Sequence, residues 1–455
     1  MRDLIGIAAS VALPWVAGAL WVMAIRRDSG ERDWLTAAGY GYLLGALLVT
    51  LVMRALSACG IAWSPAAVAL PMVALALAGG WAARPLPSPQ MRRGPAAPRG
   101  LTLPASLRAL FWLCLALTAT RLAGLALEVA WRPLLPWDAW AQWATKARVW
   151  FEYGRIVAFV SPADWLRNGD PMAFMDMHSH YPGTVPLLQV WTGLCLGRWD
   201  ESLVNAPWPA LAAALGIAFY AQARRAGTGA PQAMLFTYFL LSLPFLDIHV
   251  ALAGQADLFV AAAYAMAAMA LWQWTMARRR SDLVLAALMA AACVAVKIEG
   301  MFWALTLVPA VIVAVNRRVG FAAVGLLAAS ALGYLLFGPP VVKVWGYDLT
   351  TEFTNVSLPV LQHMFVMDNW HLLWYAALAA VVLHHRRLLQ QDVAPMTVTM
   401  AGALGFVAVV FYFTNASGGV DDETLVNRLP LHMVPALVFY VLLLLRPRRA
   451  AASRL

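Results

Sequence analysis

The residues able to do chemistry are few, and they sit where an apolar chain turns polar. Asp138 follows a long apolar run and is flanked by Trp137 and Trp140. A carboxylate in that place can accept a proton from a hydroxyl nucleophile. It can also cap a helix that begins at Ala139 by accepting free backbone N–H groups, and one role does not exclude the other. Asp176-Met177-His178-Ser179-His180-Tyr181-Pro182 forms a second cluster. Neutral imidazoles spaced as His178 and His180 are can hold a metal ion, but the sequence offers no clear third ligand beside them. Loop positions or substrate contacts are the other readings. Tyr181-Pro182 and Pro186 break the chain ahead of the apolar run that follows.

Four further residues belong to the same set. Asp257 opens an apolar stretch, as an N-terminal cap or as a site residue. Lys297-Ile298-Glu299-Gly300 lies between two apolar stretches of roughly fifteen residues each. Lys297 either snorkels and pairs with Glu299 or presents a cation to a phosphate. Arg428, in Asn427-Arg428-Leu429-Pro430-Leu431-His432, follows the acidic Asp421-Asp422-Glu423 loop. It either answers those acids in solvent or makes a bidentate contact with a phosphate.

The elements that must position these residues are membrane-spanning helices. Of 455 residues, 62% are hydrophobic and 12% charged, and apolar runs of roughly twenty residues recur from end to end. That composition excludes a soluble globule. Spans are predicted at 4–25, 34–56, 61–83, 109–130, 203–223, 232–250, 256–276, 282–297, 300–315, 320–338, 367–383, 395–414 and 429–445, about thirteen in all. The expected fold class is all-α, a polytopic transmembrane helical bundle with a large first outer loop, 131–202. Within that loop Trp140, Trp143, Ala147 and Trp150 recur at helical spacing, with Asp138, Gln142 and Lys146 on another face. The pattern predicts an amphipathic helix lying in the membrane interface.

Charge gives the sidedness. The net +10 is spread in short clusters between spans, which is the positive-inside pattern and not the footprint of a nucleic-acid partner. With the Pro/Arg-rich segment 84–108 placed inside, the clusters at Arg26/Arg27, Arg224/Arg225, 278–280, Arg317/Arg318, Arg386/Arg387 and Arg446/Arg448/Arg449 also fall inside. The count closes only if 183–198 is an embedded helix that does not cross. Asp138, His178, His180, Asp257, Lys297, Glu299 and Arg428 then share the outer face, and charges at a membrane boundary point to function. The predicted organisation is extra N-terminal spans at 1–83, a cytoplasmic linker at 84–108, a catalytic module at 109–445 and a cytoplasmic tail at 446–455. Cys59, Cys114, Cys195 and Cys293 show no CxxC spacing, so neither a metal knuckle nor a disulfide framework is indicated.

An outer carboxylate after an early span, an amphipathic helix, a Tyr-Pro segment, a Lys-x-Glu-Gly turn and a late Asn-Arg before the final span resemble the GT-C glycosyltransferases. The likeness covers about 109–445 and is to the bacterial branch related to protein O-mannosyltransferases and lipid A aminoarabinose transferases. It implies an inverting enzyme that moves a sugar from a polyprenyl-phosphate donor to an acceptor hydroxyl of a glycolipid, polysaccharide or protein. The setting implied is the outer face of a bacterial inner membrane. Asp138 matches the catalytic acid of the first loop, and Lys297 and Arg428 match cations near the donor phosphate. Glu299, His180, Tyr181 and Asp257 are the further substrate-binding candidates. No metal ligand or cofactor is assigned, with a divalent cation left open, because Asp138 lacks the second adjacent acid of an Asp-x-Asp or Glu-x-Asp pair. The three spans at 1–83 precede the usual first span of that family. A multi-span transporter or flippase of an envelope precursor is the alternative, and it predicts internal repeats and interrupted helices at mid-membrane depth.

Overall fold

A computed structural model describes residues 1–27, 33–84, 104–169, 172–344 and 347–446. Most of the predicted linker and nearly all of the tail lie outside the described residues. The first helices are α1 (Arg2–Ile25), α2 (Trp34–Ala58), α3 (Pro65–Ala82) and α4 (Ala105–Trp131). The loop 131–202 holds α5 (Ala144–Tyr153), α6 (Pro162–Asn168) and the paired strands β1 (Phe159–Val160) and β2 (Phe174–Met175). After α7 (Thr184–Leu196) come α8 (Pro207–Arg225), α9 (Ala230–Leu241), α10 (Pro244–Ala251), α11 (Asp257–Ala277), α12 (Arg280–Val296), α13 (Gly300–Leu305), α14 (Val308–Val315) and α15 (Arg317–Phe337). The hairpin β3 (Val341–Val344) and β4 (Tyr347–Thr350) is followed by α16 (Ser357–Leu361), α17 (Leu373–Leu383), α18 (Ala394–Phe413), α19 (Gly418–Asp421), α20 (Arg428–Leu431) and α21 (Val434–Leu445).

The chain is an all-α membrane bundle. Among the described residues eight helices are long and apolar enough to cross a membrane, and nine if α9 and α10, bent by 62°, form one span. The predicted stretches 282–297, 300–315, 367–383 and 429–445 hold shorter helices, such as α12 with 17 residues, α17 with 11 and α21 with 12. Twelve residues of helix reach about 18 Å, against a hydrocarbon core of about 30 Å. Turn residues interrupt these stretches, as at Thr306-Leu307 and at His432-Met433. The 13-residue α7 is buried along nearly its whole length against α1, α2, α5 and α8, so 183–198 holds a short packed helix of the kind the charge count requires.

Burial sorts the helices. α11 is apolar all round and buried over almost every turn, which makes it the axis of the bundle. In α15 only Gly320 is buried, so its Leu and Val side chains are left to face lipid. Close helix approach comes from small residues: a Cβ on Gly18 would strike the Gly41 carbonyl, and one on Gly45 the Pro14 carbonyl. The N-terminal helices are not an appendage. Tyr40 donates to the Met266 carbonyl at 2.8 Å, Trp191 donates to the Ser10 carbonyl at 2.9 Å, and α2 packs along α8.

The amphipathic helix differs from its expected form. Ala139–Trp143 is a π-helical turn that runs into α5. Trp143, Ala147 and Trp150 are buried while Trp140 is half exposed. Gln142 and Lys146, expected on a water-facing side, are buried too, and Lys146 forms an ion pair with buried Asp176. On its polar side the helix is therefore covered by the later part of the same loop, through Asp176 and His178. Periodicity cannot show this, because a buried charge needs a partner from a distant segment.

Candidate functional site

Two charged clusters mark opposite ends of the bundle. At one end Asp282, fully buried, pairs with Arg26 at 2.6 Å and Arg225 at 2.8 Å, and Arg446 donates to the Ala226 carbonyl at 2.9 Å. Arginine clusters predicted to share a side thus meet there. The other end gathers Asp138, Asp257, Lys297, Glu299 and Arg428, which lie 290 positions apart in sequence at the extremes (428 less 138).

Asp257 is the hub. Its helix starts at this residue, yet its side chain makes no capping hydrogen bond and turns into the protein instead. Oδ1 accepts from Lys297 Nζ at 3.1 Å and from His432 Nε2 at 3.0 Å, and Oδ2 accepts from Arg428 Nη2 at 3.0 Å. Only 2% of the side chain is exposed, so these donors replace its water. Arg428 spans two carboxylates, for its Nη1 lies 2.7 Å from Asp138 Oδ2. Its partners are these two and not the acidic Asp421-Asp422-Glu423 loop. Asp138 makes no capping bond to the helix that follows it. Neither Asp138 nor Asp257 therefore takes the capping role that its place ahead of a helix suggests.

Lys297 does not snorkel. It points inward, 3.1 Å from Asp257 and 3.8 Å from Glu299 Oε1. That same Glu299 oxygen accepts from Tyr181 Oη at 2.8 Å and Tyr347 Oη at 3.0 Å, while Oε2 is buried without a hydrogen-bond partner. Tyr181 stacks between Trp143 at 5.4 Å and His178 at 4.8 Å, and this stack carries the Tyr-Pro segment onto Glu299. Lys146 Nζ holds the His178 carbonyl at 2.7 Å. Burial lowers the Lys146 ammonium from its usual range against the opposing pull of Asp176. His180 is exposed and reaches the cluster only through ring contacts with His178 and Tyr181. No group of three His, Cys, Asp or Glu able to hold a metal ion occurs among the described residues, and the four cysteines are free.

Beside the charged cluster lies a cavity of about 240 Å³. Asp257, Lys297, Glu299, His432 and Tyr347 form its polar end, and Phe302, Val344, Leu349, Phe406, Val409, Val410, Leu425 and Leu429 form apolar walls. Val344, Tyr347 and Leu349 of the β3–β4 hairpin contribute to the lining, and Leu349 bridges to Thr414. Asp138 and Arg428 are not in this lining. Arg428 joins Asp138 to Asp257, and the Asp138 and Arg428 side chains are each about one-fifth exposed, at 22% and 23%. The charged cluster therefore joins an apolar-walled cavity to a partly exposed carboxylate.

Sequence reasoning misses three contributors. His432 stands in the Asn-Arg segment with no pattern to give it a role, yet its Nε2–H fixes Asp257, and its Nδ1 is buried and unpartnered. Tyr347 sits on a hairpin with no helical signal. His249 is buried, donates through Nδ1 to the Phe245 carbonyl at 3.0 Å and keeps Nε2 unpartnered. Asn427 is held at both ends of its amide, by Trp370 Nε1 at 3.0 Å and by His363 Nδ1 at 2.8 Å, which fixes the backbone ahead of Arg428. The chain matches no known protein-family model, no curated protein and no solved structure.

Proposed function

We propose that this chain is an inverting membrane glycosyltransferase of the GT-C kind, with its site on the outer face of a bacterial inner membrane. The observation that carries the reading is the charged wall set against an apolar-walled cavity. An amphiphile with a polar head and a hydrocarbon tail suits that cavity, and a polyprenyl-phosphate-linked sugar has this form. Lys297 and Arg428 are the cations for the phosphate, and Asp138 is the base. The acceptor hydroxyl oxygen attacks the anomeric carbon, the bond from that carbon to the phosphate oxygen breaks, and the hydroxyl proton passes to Asp138. The leaving polyprenyl phosphate gains one negative charge, which the two cations offset.

The test is turnover by the purified protein in lipid nanodiscs with a panel of polyprenyl-phosphate sugars and hydroxyl acceptors. Asp138→Asn keeps the size of the side chain but cannot take a proton, and turnover should fall on the order of a hundredfold or more. Full activity of a normally folded Asp138→Asn protein would refute the assignment. The bend between α9 and α10 is a feature a transporter would share. In that reading, reconstituted vesicles would move a lipid-linked sugar between leaflets without forming a new glycosidic bond.

A further inference from the structure

The charged wall holds three carboxylates, Asp138, Asp257 and Glu299, against two cations, Lys297 and Arg428. With His432 neutral, the wall carries one negative charge in excess. A wall with that balance is a poor host for a phosphate unless one carboxylate withdraws. The three carboxylates are held unequally. Asp257 accepts from Lys297, His432 and Arg428 and is 2% exposed. Glu299 accepts from two tyrosines and lies beside Lys297. Asp138 is held at one oxygen by Arg428 and is 22% exposed. Among the described residues it is the carboxylate of this wall that leaves most cheaply.

Arg428 is built to change partners at that position. Its Nη2 is anchored on Asp257, which keeps the guanidinium in place, while Nη1 faces Asp138 at the exposed edge. Its Nε–H is buried without a partner, so the guanidinium keeps a donor in hand for an oxyanion. Trp370 and His363 fix the preceding Asn427, so the backbone need not move.

We infer that a phosphate and Asp138 compete for Arg428, so that the bound phosphate displaces Asp138 and sets its carboxylate free to act as a base. This rests on the transfer reading above and adds an order to it: the base is released only when the donor phosphate is present. Without donor, Asp138 is engaged by Arg428.

The competition fixes the sign of a binding experiment. Polyprenyl phosphate, carrying no sugar, is titrated onto the purified protein in detergent, with inorganic phosphate as the parallel arm. Asp138→Asn removes the competitor and should tighten polyprenyl phosphate binding roughly fivefold, the scale of one partly exposed ion pair. Tightening of both ligands assigns the site to phosphate itself, and tightening of the lipid alone assigns it to a membrane-borne phosphate. Arg428→Gln should weaken binding and abolish the effect of Asp138→Asn. The wild-type protein supplies a second reading that no folding defect can disturb. Polyprenyl phosphate should speed modification of Asp138 by a water-soluble carbodiimide, followed by mass spectrometry of the peptide. Unchanged or weaker binding by Asp138→Asn, or protection of Asp138 by the lipid, would overturn the competition. Binding and competition without sugar transfer would remove the transfer reading and leave this one standing. Sugar transfer with no effect of Asp138→Asn on phosphate binding would do the reverse.

Discussion

Asp257 shows what a single side chain does in this protein. Its three donors come from the end of α12, from α20 and from the turn ahead of α21, so one carboxylate joins three segments. Replacing it by Ala leaves buried Lys297 and partly buried Arg428 without their shared counter-charge, and losing a buried partner costs about 3–5 kcal/mol. Thermal unfolding in detergent should show a large drop for Asp257→Ala. Tyr347→Phe removes one of two hydroxyl donors to Glu299 Oε1 and should cost about 1 kcal/mol. A comparable loss from the two would mean that Asp257 is not the hub. The pair also separates roles, since Tyr347→Phe loosens the hairpin wall of the cavity without touching the Asp138–Arg428 pair.

At the scale of elements, the helices divide into those that pack by shape and those that face lipid. The α1–α2 seam depends on Gly45, because any Cβ there meets the Pro14 carbonyl. Gly45→Val should therefore separate the two helices, lower the yield of folded protein and disturb α7, which packs on both. A Cβ added at Gly325 on α15 would meet only open space, so Gly325→Ala should be neutral or stabilising by up to about 1 kcal/mol. Yield and unfolding temperature of the two variants check this contrast. The loop element is set differently: Trp63 N–H donates to the Gly154 carbonyl at 2.7 Å and Ile156 N–H to Ser57 Oγ at 3.0 Å. The C-terminal end of α2 thus holds the segment after α5, and residues 1–83 help to position the loop 131–202.

For the whole molecule, the two charged clusters set a direction across the membrane. Asp3 meets Arg198 at 3.1 Å, and Arg446 reaches the Ala226 carbonyl at the opposite end, so the described termini lie at opposite ends of the bundle. Cys59 is exposed just beyond α2, on the side of the candidate site. In intact cells a membrane-impermeant maleimide should label Cys59 from outside. A cysteine placed at Arg279 in a Cys59→Ser background should stay unlabelled until the membrane is opened. The reverse pattern would turn the site to the inside and end the proposal of an outer-face transferase.

Hydrophobic runs and arginine clusters are enough to read an all-α membrane bundle and the short packed α7, because lipid demands helices and charge counts are local quantities. The chemistry-bearing residues are legible as types: Asp138, Asp257, Lys297, Glu299, Tyr181 and Arg428 do converge, while His180 stays at the margin. Their partners are not legible. Lys297 and Glu299 read as a local pair, but Asp257 comes from 40 positions earlier and the Arg428–Asp257 bond links residues 171 apart. Contacts of that range depend on how helices cross, and periodicity within one helix carries no record of the neighbour it meets. For the same reason the sequence alone assigns no role to Tyr347 or His432, and it puts Lys146 on a polar face that the fold buries. The tertiary structure alone decided that both cations are already engaged by carboxylates. That engagement arises because burying a charge in this bundle costs more than the chain can sustain without a counter-charge close by.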